Sequence, residues 1–442
     1  MARKKTLAPL NVLINGRLVG HIEKAASGAT SFRYAEKWLN WEHRFAISLS
    51  LPLTPNAYRG GIVAAVFDNL LPDRDAVRRR LAERMGAHGT DFYSLLEAIG
   101  RDCIGAMQFL PEGADEAELE KAKGAPISAA AIETILADLA LAPLGVDRDQ
   151  EFRISVAGAQ EKTALLRMEG QWYRPTGTTP TTHILKPQLG QIPSADGMID
   201  MSDSVDNEHY CMKLLYAFGL QVAHTEIATF GKRRVLVIER FDRHWRDGAS
   251  ILRLPQEDCC QALGIPPTLK YQSDGGPGMR DILELLRGAD DPKRDQTAFF
   301  KSQILFWLIG ATDGHAKNFS IHLKPGGRFS LTPLYDVLSS QPAADQGQIA
   351  PNRFRLAMSV GANRHYRMSE ITGRHFVQSG KAARLGASLM RNAISELLDL
   401  AANAPSIALE AMPEDFAEAV HLSINAAIQK RLPELATALD EL

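Results

Sequence analysis

The sequence predicts an α+β protein of two lobes, in which a β-rich half is followed by an α-rich half. Residues 151–253 contain short, alternating apolar segments bounded by turn residues, which is the pattern of β-strands. From Leu254 to Leu442 the apolar residues recur at helical spacing almost throughout, apart from the segment between Asp313 and Asp336. We therefore expect an all-α second lobe and a cleft where the two lobes meet.

The part of the chain before the first lobe is predicted to form two further regions. Apolar and polar residues alternate around Asn15-Gly16, which indicates a β-hairpin, and helical periodicity begins near Gly61. The composition between Pro111 and Lys123 indicates a boundary, with short helices after it. The predicted regions are a β-rich subdomain at 1–112, a helical connector at 113–150, a β-rich lobe at 151–253 and an α-helical lobe at 254–442.

Composition limits the class of protein. A chain of 442 residues with 45% hydrophobic and 23% charged residues is ordinary for a globular protein of several domains. The formal net charge of −2 argues against sequence-independent nucleic-acid binding by the whole surface. The four cysteines lack metal-binding spacing, which favours reduced thiols in a cytoplasmic protein. The longest apolar run, Ile304–Ala311, is far shorter than the ~20 residues that span a bilayer, so we expect no membrane association.

The most informative local pattern is Thr312-Asp-Gly-His-Ala-Lys-Asn318, followed by a further aspartate at Asp336. In phosphoryl transfer, an Asp at this spacing accepts the proton of the attacking hydroxyl, while the Asn and a later Asp hold Mg²⁺ against the nucleotide phosphates. The same residue types are common in turns, so a plain turn is the alternative for this segment alone. His315 is a candidate for steadying the transferred phosphate, with a simple hydrogen-bonding role as its alternative.

Upstream residues follow in the order that such a site needs. Lys186 ends an apolar strand, and Glu208, near a helix start, could hold it by an ion pair or could merely complement the helix dipole. Glu239–Asp242 follows a strand at the expected lobe junction, where backbone groups could bind an adenine or where Arg240 and Asp242 simply pair. The small residues of Ser155–Lys162 would let backbone N–H groups approach phosphates, although a hairpin turn explains them equally well.

Long stretches of the chain resemble the HipA family, the serine/threonine kinase toxins of bacterial toxin–antitoxin modules. The resemblance runs nearly from end to end and implies a two-lobed protein-kinase-like fold that uses ATP and Mg²⁺. The stretches that carry it are Phe67–Asp73, Phe152–Leu166, Leu254–Asp258, Ser273–Gly278 and Trp307–Ser320.

The resemblance also implies roles for the residues that match the family's motifs. Asp313 would be the catalytic base with His315 beside it, and Asn318 and Asp336 would bind Mg²⁺. The implied ATP-binding residues are Val156, Ala157, Gly158, Ala159, Gln160, Glu161, Lys162, Lys186, Glu239, Arg240, Phe241, His315, Asn318 and Asp336. Ser155 would be an autophosphorylation site, whose added phosphate would expel the adjacent loop and inactivate the kinase.

The implied partners are the dimeric DNA-binding antitoxin HipB, the operator DNA that the complex represses, and a protein substrate expected to be glutamyl-tRNA synthetase. Lys381 and Arg384 lie in a basic segment between Arg364 and Arg391, where the family touches the DNA backbone. A solvated basic helix is the alternative reading of this segment.

Two other functions stay open from the residues alone. A small-molecule phosphotransferase shares the Asp-x₄-Asn loop, but it would need an acceptor pocket for a polar metabolite. A non-catalytic corepressor would assemble on the operator with its antitoxin and would not turn over ATP.

Overall fold

The computed structural model describes residues 7–111, 121–146, 153–158, 160–194 and 197–442. Within these ranges the strands are β1 Leu10–Ile14, β2 Arg17–Lys24, β3 Thr30–Tyr34, β4 Tyr58–Arg59, β5 Met107–Pro111, β6 Gly124–Pro126, β7 Thr163–Met168, β8 Gln171–Pro175, β9 His183–Pro187, β10 Gly190–Ser194, β11 Gly197–Met201, β12 Thr225–Phe230, β13 Arg233–Glu239, β14 Arg243–Arg246, β15 Ser250–Arg253, β16 Gln256–Asp258, β17 Ser320–Lys324, β18 Arg328–Leu331, β19 Arg355–Val360 and β20 His365–Arg367. The α-helices in the same ranges are α1 Glu36–Leu39, α2 Gly61–Phe67, α3 Asp75–Met85, α4 Phe92–Ile99, α5 Ala129–Asp138, α6 Ser204–Ala217, α7 Cys259–Ala262, α8 Met279–Leu286, α9 Pro292–Ile309, α10 Gln341–Asp345, α11 Gly373–Ala382, α12 Ala387–Leu400, α13 Ala404–Glu410 and α14 Glu418–Ala436.

An antiparallel sheet with the strand order β4-β3-β2-β1-β5 forms the core of the N-terminal domain. Asn15 and Gly16 link β1 to β2, and their φ values of 47° and 81° belong to a type I′ hairpin turn. The hairpin predicted from the sequence is therefore confirmed. Phe32 of β3 packs against Phe67 of α2 with 5.5 Å between the ring centroids, which joins the sheet to the helices.

A second antiparallel sheet, with the order β12-β13-β9-β7-β8-β6, forms the N-terminal lobe. Helix α5 packs on it through buried apolar residues that include Ile132, Leu165 and Val235, while α6 contacts β12 and β13. The connector was predicted to be helical, but it also contributes β6, which pairs with β8 at the sheet edge. So short a strand has no periodicity that the sequence could reveal. The connector residues 113–120 and 147–150 lie outside the described ranges.

Helix α9 is the centre of the C-terminal lobe. It begins after Asp291, whose side chain accepts a hydrogen bond from the N–H of Arg294, and it ends at Gly310, whose φ is 73°. The apolar run Ile304–Ala311 is buried and belongs mostly to this helix, around which α8, α12 and α14 pack. None of the helices in the described ranges has the length and apolar character needed to cross a bilayer.

The C-terminal lobe is α-rich, but it also contains strands that the prediction of an all-α lobe did not include. Strands β16, β17 and β18 form one sheet, and β19 and β20 form a hairpin. Strand β16 consists of Gln256, Glu257 and Asp258, and all three side chains are buried. Its extended conformation comes from pairing with β17, so apolar alternation could not have indicated it.

A buried network of charged side chains joins the N-terminal domain to the N-terminal lobe. Asp102 accepts hydrogen bonds from Arg243 at 2.9 Å and from Arg253 at 3.1 Å, and Arg240 pairs with Asp242 at 2.8 Å. Burial raises the pKa of Asp102, but the arginines outweigh it and hold that pKa well below its usual range. Because removing one partner would leave a buried charge unpaired, the network fixes the two units against each other.

Candidate active site

A cavity of about 380 Å³ lies between the two lobes, and the N-terminal domain forms part of its wall. The predicted site residues on the wall are Val156, Ala157, Gly158, Gln160, Lys162, Lys186, Glu239, Arg240, Phe241, Asp313, His315, Asn318 and Asp336. Ser155 and Glu161 are not on the wall, and Ala159 lies outside the described residues.

Lys186 forms ion pairs with two carboxylates that come from different elements. Its Nζ lies 2.8 Å from Glu208 Oε1 and 2.5 Å from Asp336 Oδ1. The interior strand β9 positions Lys186 and helix α6 positions Glu208, so this pair is held on two packed elements. The Lys186 and Glu208 side chains are 5% and 4% exposed, whereas Asp336 is 36% exposed and lies on the cavity wall. The ion pair proposed for Glu208 is therefore present.

Burial and charge act in opposite directions on these groups. Burial lowers the pKa of Lys186, but Asp336 and Glu208 outweigh it and hold that pKa well above its usual range. Burial raises the pKa of Asp336, but Lys186 and Lys162 outweigh it and keep that pKa well below its usual range. At neutral pH we therefore expect charged Lys186 and charged Asp336, which are the forms that bind phosphates and metal ions.

The segment after α9 brings Asp313 and Asn318 together. Asn318 Nδ2 donates a hydrogen bond to the backbone oxygen of Asp313 at 2.7 Å. This bond uses the amide nitrogen, so the amide oxygen is the atom with which Asn318 would bind a cation. The Asp313 side chain is 63% exposed, and its Oδ1 accepts a hydrogen bond from the Tyr271 hydroxyl. An exposed carboxylate on the cavity wall can receive the proton of an incoming hydroxyl.

His315 is buried beside the Asp313 carboxylate. Its Nε2 lies 3.8 Å from Asp313 Oδ1, and its ring meets Tyr271 edge to face with 4.8 Å between centroids. Burial lowers the pKa of His315, so we expect a neutral imidazole at pH 7. Within the described residues, its Nδ1 is buried without a hydrogen-bond partner. A buried nitrogen of this kind on the wall of a cavity is a candidate contact for a ligand.

The loop that begins at Ser155 is held in shape by Lys162. The Nζ of Lys162 donates a hydrogen bond to the Ala157 oxygen at 3.0 Å. Gly158 has a φ of 110°, and a Cβ placed there would lie 2.7 Å from Lys162 Nζ, so this position favours glycine. Burial, reinforced by Lys186, lowers the pKa of Lys162 to about 8. Lys162 therefore remains mostly protonated at pH 7, as a phosphate contact requires.

Ser155 itself is fully buried. Its Oγ–H donates to the Leu70 oxygen at 2.7 Å, and its backbone N–H donates to the Asp102 oxygen at 2.9 Å. A phosphate with a charge of about −2 cannot be buried there without partners, so its attachment would displace the loop.

The lobe-junction residues differ in what they can offer a ligand. The Phe241 ring lies against Tyr335, with 5.8 Å between centroids, and both border the cavity, where a flat base could stack. The Arg240 guanidinium is 1% exposed and belongs to the buried network, so the backbone of this junction remains the predicted contact for adenine. The alternative pairing of Arg240 with Asp242 is present. The Glu239 side chain is 60% exposed, and its carboxylate lies 3.8 Å from His224 Nδ1.

The residues on the wall fit a magnesium–nucleotide group. Asn318 and Asp336 offer hard oxygen ligands, and Mg²⁺ in such sites takes one or two protein oxygens and completes its shell with phosphates and water. Among the described residues, no group of three or more His, Cys, Asp and Glu side chains could hold a metal ion. Any Mg²⁺ here would therefore depend on the bound phosphates for part of its coordination.

Sequence reasoning missed three residues that border this site. Asp73 and Lys270 form an ion pair at 2.8 Å, and Tyr271 contacts the Asp313 carboxylate. Asp73 ends the stretch Phe67–Asp73, and Lys270 and Tyr271 lie just before Ser273–Gly278. Both stretches carried the resemblance, but no local pattern assigned chemistry to these side chains.

The predicted DNA-backbone residues lie far from the cavity in sequence and on the outside of the C-terminal lobe. Lys381 is exposed near the end of α11, and its Nζ donates to the backbone oxygen of Glu441 at 2.7 Å. Arg384 is exposed and has a φ of 61° in the turn before α12. The other basic residues of this segment are also exposed: Arg364, Arg367, Arg374 and Arg391.

A β-rich lobe and an α-rich lobe that enclose a Lys–Glu pair and an Asp-x₄-Asn loop define a kinase-like protein. Two family models assign it more closely. The model described as HipA N-terminal domain matches residues 10–110, and the model described as HipA-like C-terminal domain matches residues 154–405. The chain belongs to the HipA family.

Similar proteins cover most of the chain. The serine/threonine-protein kinase toxin HipA of Shewanella oneidensis is 30% identical over 374 residues, which are 81% of this chain and 80% of that protein. The candidate kinase Y4mE of Sinorhizobium fredii is 34% identical over 409 residues, 92% of this chain and 93% of that one. A solved HipA chain of Shewanella oneidensis MR-1, in a complex with HipB and operator DNA, gives a TM-score of 0.79 at 25% identity and covers 98% of this chain and 99% of its own.

Proposed function

We propose that this chain is an ATP- and Mg²⁺-dependent protein serine/threonine kinase. The observation that carries the proposal is the ion pair of Lys186 with Glu208 and Asp336, at 2.8 and 2.5 Å, on the wall of the cavity that also holds Asp313. A buried cation held on the cavity wall by Glu208, a carboxylate on a packed helix, is positioned to bind nucleotide phosphates.

The wall residues divide the chemical work among them. Asp313 orients the hydroxyl of the acceptor and takes its proton as the oxygen attacks the γ-phosphorus, while the bond to the β-phosphate oxygen breaks and ADP leaves. Lys186 and Lys162 balance the phosphate charge, and neutral His315 hydrogen-bonds the transferred group. Asn318 and Asp336 would hold Mg²⁺, which supplies positive charge to the phosphate oxygens when it is bound.

Membership of the HipA family supports a proposal for the biological role. We propose that the chain acts as the toxin of a type II toxin–antitoxin module in the cytoplasm and phosphorylates glutamyl-tRNA synthetase. We propose that the antitoxin HipB inhibits the kinase. We further propose that the two proteins repress their operon together, with Lys381 and Arg384 at the DNA backbone. The HipA–HipB–operator complex of Shewanella oneidensis supports both partners.

Autophosphorylation at Ser155 would switch the kinase off. The buried hydrogen bond from Ser155 Oγ to Leu70 supports this, because a phosphate cannot replace the hydroxyl without moving the loop. The same burial requires the loop to open before Ser155 can meet a nucleotide.

The first experiment measures intact mass before and after incubation with MgATP. We expect the wild-type chain to gain one phosphate and Asp313→Asn to gain none while keeping its circular dichroism spectrum. Asp274→Asn, an exposed aspartate on a nearby loop, is the matched control and is expected to behave as the wild type. Phosphate uptake by Asp313→Asn at the wild-type rate would contradict the role of Asp313.

The second experiment separates the alternatives with labelled ATP. Label in purified glutamyl-tRNA synthetase supports the proposed client, and label in another protein of a cell lysate supports a different one. Label confined to small molecules would favour a small-molecule phosphotransferase. Operator binding with HipB but no turnover of ATP would favour a non-catalytic corepressor.

A further inference from the structure

Asp73 of the N-terminal domain reaches into the C-terminal lobe. Its Oδ1 lies 2.7 Å from the Nζ of Lys317, and its Oδ2 lies 2.8 Å from the Nζ of Lys270. The three side chains are 12%, 4% and 15% exposed, so this is a mostly buried cluster. Lys317 also donates to the backbone oxygen of Asn69 at 3.3 Å, and Asn69 belongs to the same domain as Asp73.

The backbone around Asp73 is fixed by the loop that begins at Ser155. The Asp73 N–H donates to the Gly158 oxygen at 3.3 Å, and Pro72 forms a β-bridge with Gly158. The Leu70 oxygen accepts the Ser155 hydroxyl at 2.7 Å. The turn that carries Asp73 therefore lies between the loop that begins at Ser155 and the catalytic loop, residues 313–318, and it contacts both.

The contact between Asp73 and Lys317 affects the catalytic loop because of where Lys317 lies in the sequence. Lys317 directly precedes Asn318, and the side-chain amide of Asn318 donates a hydrogen bond to the backbone oxygen of Asp313. The ion pair that holds Lys317 therefore also restrains Asn318 and Asp313. Asp73 is the carboxylate that the two buried ammonium groups share. Without it they would repel each other, and both lysines line the same cavity as Asp336. An ammonium group that moved toward Asp336 would compete with Mg²⁺.

We propose that Asp73 is a positioning residue of the kinase, which holds Lys317 away from the metal ligands and thereby fixes Asp313 and Asn318. The inference rests on the proposed function, and it gives the N-terminal domain a role in positioning active-site residues. Asp73 need not touch the nucleotide, since it acts through Lys317 and the loop that follows.

The test compares Asp73→Asn with Asp68→Asn in the full chain. Asp68 is the matched control because it also forms an ion pair, with Arg78 at 2.6 Å. Among the described residues, no hydrogen bond or ion pair joins the Asp68 side chain to residues 313–318. The readouts are the Mg²⁺ concentration for half-maximal kinase activity, kcat and KM for ATP, and hydrogen exchange of the peptide that spans 313–318.

We expect Asp73→Asn to raise the half-maximal Mg²⁺ concentration by about tenfold or more and to speed exchange of that peptide, because a buried ammonium group loses its counter-charge. Asp68→Asn is expected to change neither. Lys317→Met removes the competing ammonium group, so in that background Asp73→Asn should shift the Mg²⁺ requirement by less than about twofold.

The outcomes separate the two proposals. Equal Mg²⁺ requirements and equal exchange for Asp73→Asn and Asp68→Asn would overturn the role of Asp73. A wild-type chain without kinase activity would contradict the proposed function, while the exchange measurement would still decide whether Asp73 orders the loop. If Asp73→Asn does not fold, Lys317→Met alone is compared with the wild type by exchange of the same peptide. Faster exchange is expected because the contact with Asp73 is lost, and unchanged exchange would overturn the role of Asp73.

Discussion

Replacing Lys186 with methionine removes the ammonium group while keeping most of the side chain's volume. The two carboxylates that lose their partner differ in environment. Asp336 is 36% exposed and can be hydrated from the cavity, whereas Glu208 is only 4% exposed. The substitution therefore lowers the free energy of unfolding mainly through Glu208, which must either stay charged without a partner or take up a proton.

Protonation limits that cost. The ordinary pKa of a glutamate is 4.5, and burial raises the pKa of Glu208. Holding a carboxyl protonated at pH 7, roughly 2.5 units above its ordinary pKa, costs about 3.5 kcal/mol of unfolding free energy at about 1.4 kcal/mol per unit. A carboxyl whose pKa is raised in the folded state contributes its full stabilisation below pH 4.5, and this contribution is lost as the pH rises. Near pH 5 the penalty in Lys186→Met should therefore fall below about 1 kcal/mol.

Urea unfolding at pH 5 and pH 7 measures this pattern. The variants are Lys186→Met, Glu208→Gln and the double variant, with the exposed Lys232→Met as the control. Glutamine resembles a protonated glutamate, so the double variant should be more stable than Lys186→Met by about 3.5 kcal/mol at pH 7 and nearly equal to it at pH 5. Lys232→Met should change stability by less than about 0.5 kcal/mol. Equal stability of Lys186→Met and the double variant at pH 7 would refute the reasoning.

Three other predictions concern separate parts of the molecule. Ser155→Asp should lower kinase activity by about 100-fold or more and speed tryptic cleavage near Lys162, because it places a charge at a buried position. Ser155→Ala adds no charge and is the control. Unchanged cleavage of Ser155→Asp would count against loop displacement. Burial raises the pKa of Glu257 to about 8, so its protonated form stabilises the fold fully below pH 4.5 and loses this effect toward pH 8. Glu257→Gln should therefore lack the loss of stability that the wild type shows between pH 5 and 8 in urea unfolding, and parallel curves would contradict this. Lys381→Ala with Arg384→Ala should reduce the salt slope of operator binding with HipB by about 2 units, and an unchanged slope would remove the DNA contact.

Local spacing allowed much of the candidate site to be predicted. The end of the strand at Lys186 and the start of the helix near Glu208 depend on neighbouring residues, and the order of residues that a kinase site needs then predicted the ion pair across 22 positions. The hairpin at Asn15-Gly16, outside the site, follows from turn chemistry. The same reasoning could not show that the Arg240 side chain is committed to a buried network, because nothing near it in sequence reveals its distant partner Asp102.

The sequence by itself determined the order of the lobes, the catalytic-loop spacing from Asp313 to Asn318 and the strand that ends in Lys186, because each depends on residues within a few positions of one another. Only the tertiary structure decided that Asp73 meets Lys317, 244 residues away, and that the polar strand β16 is buried. The residues next to a charged side chain do not indicate whether it is buried. Its partner is determined when separate elements pack together, and the free-energy cost of leaving a buried charge unpaired then stabilises that packing.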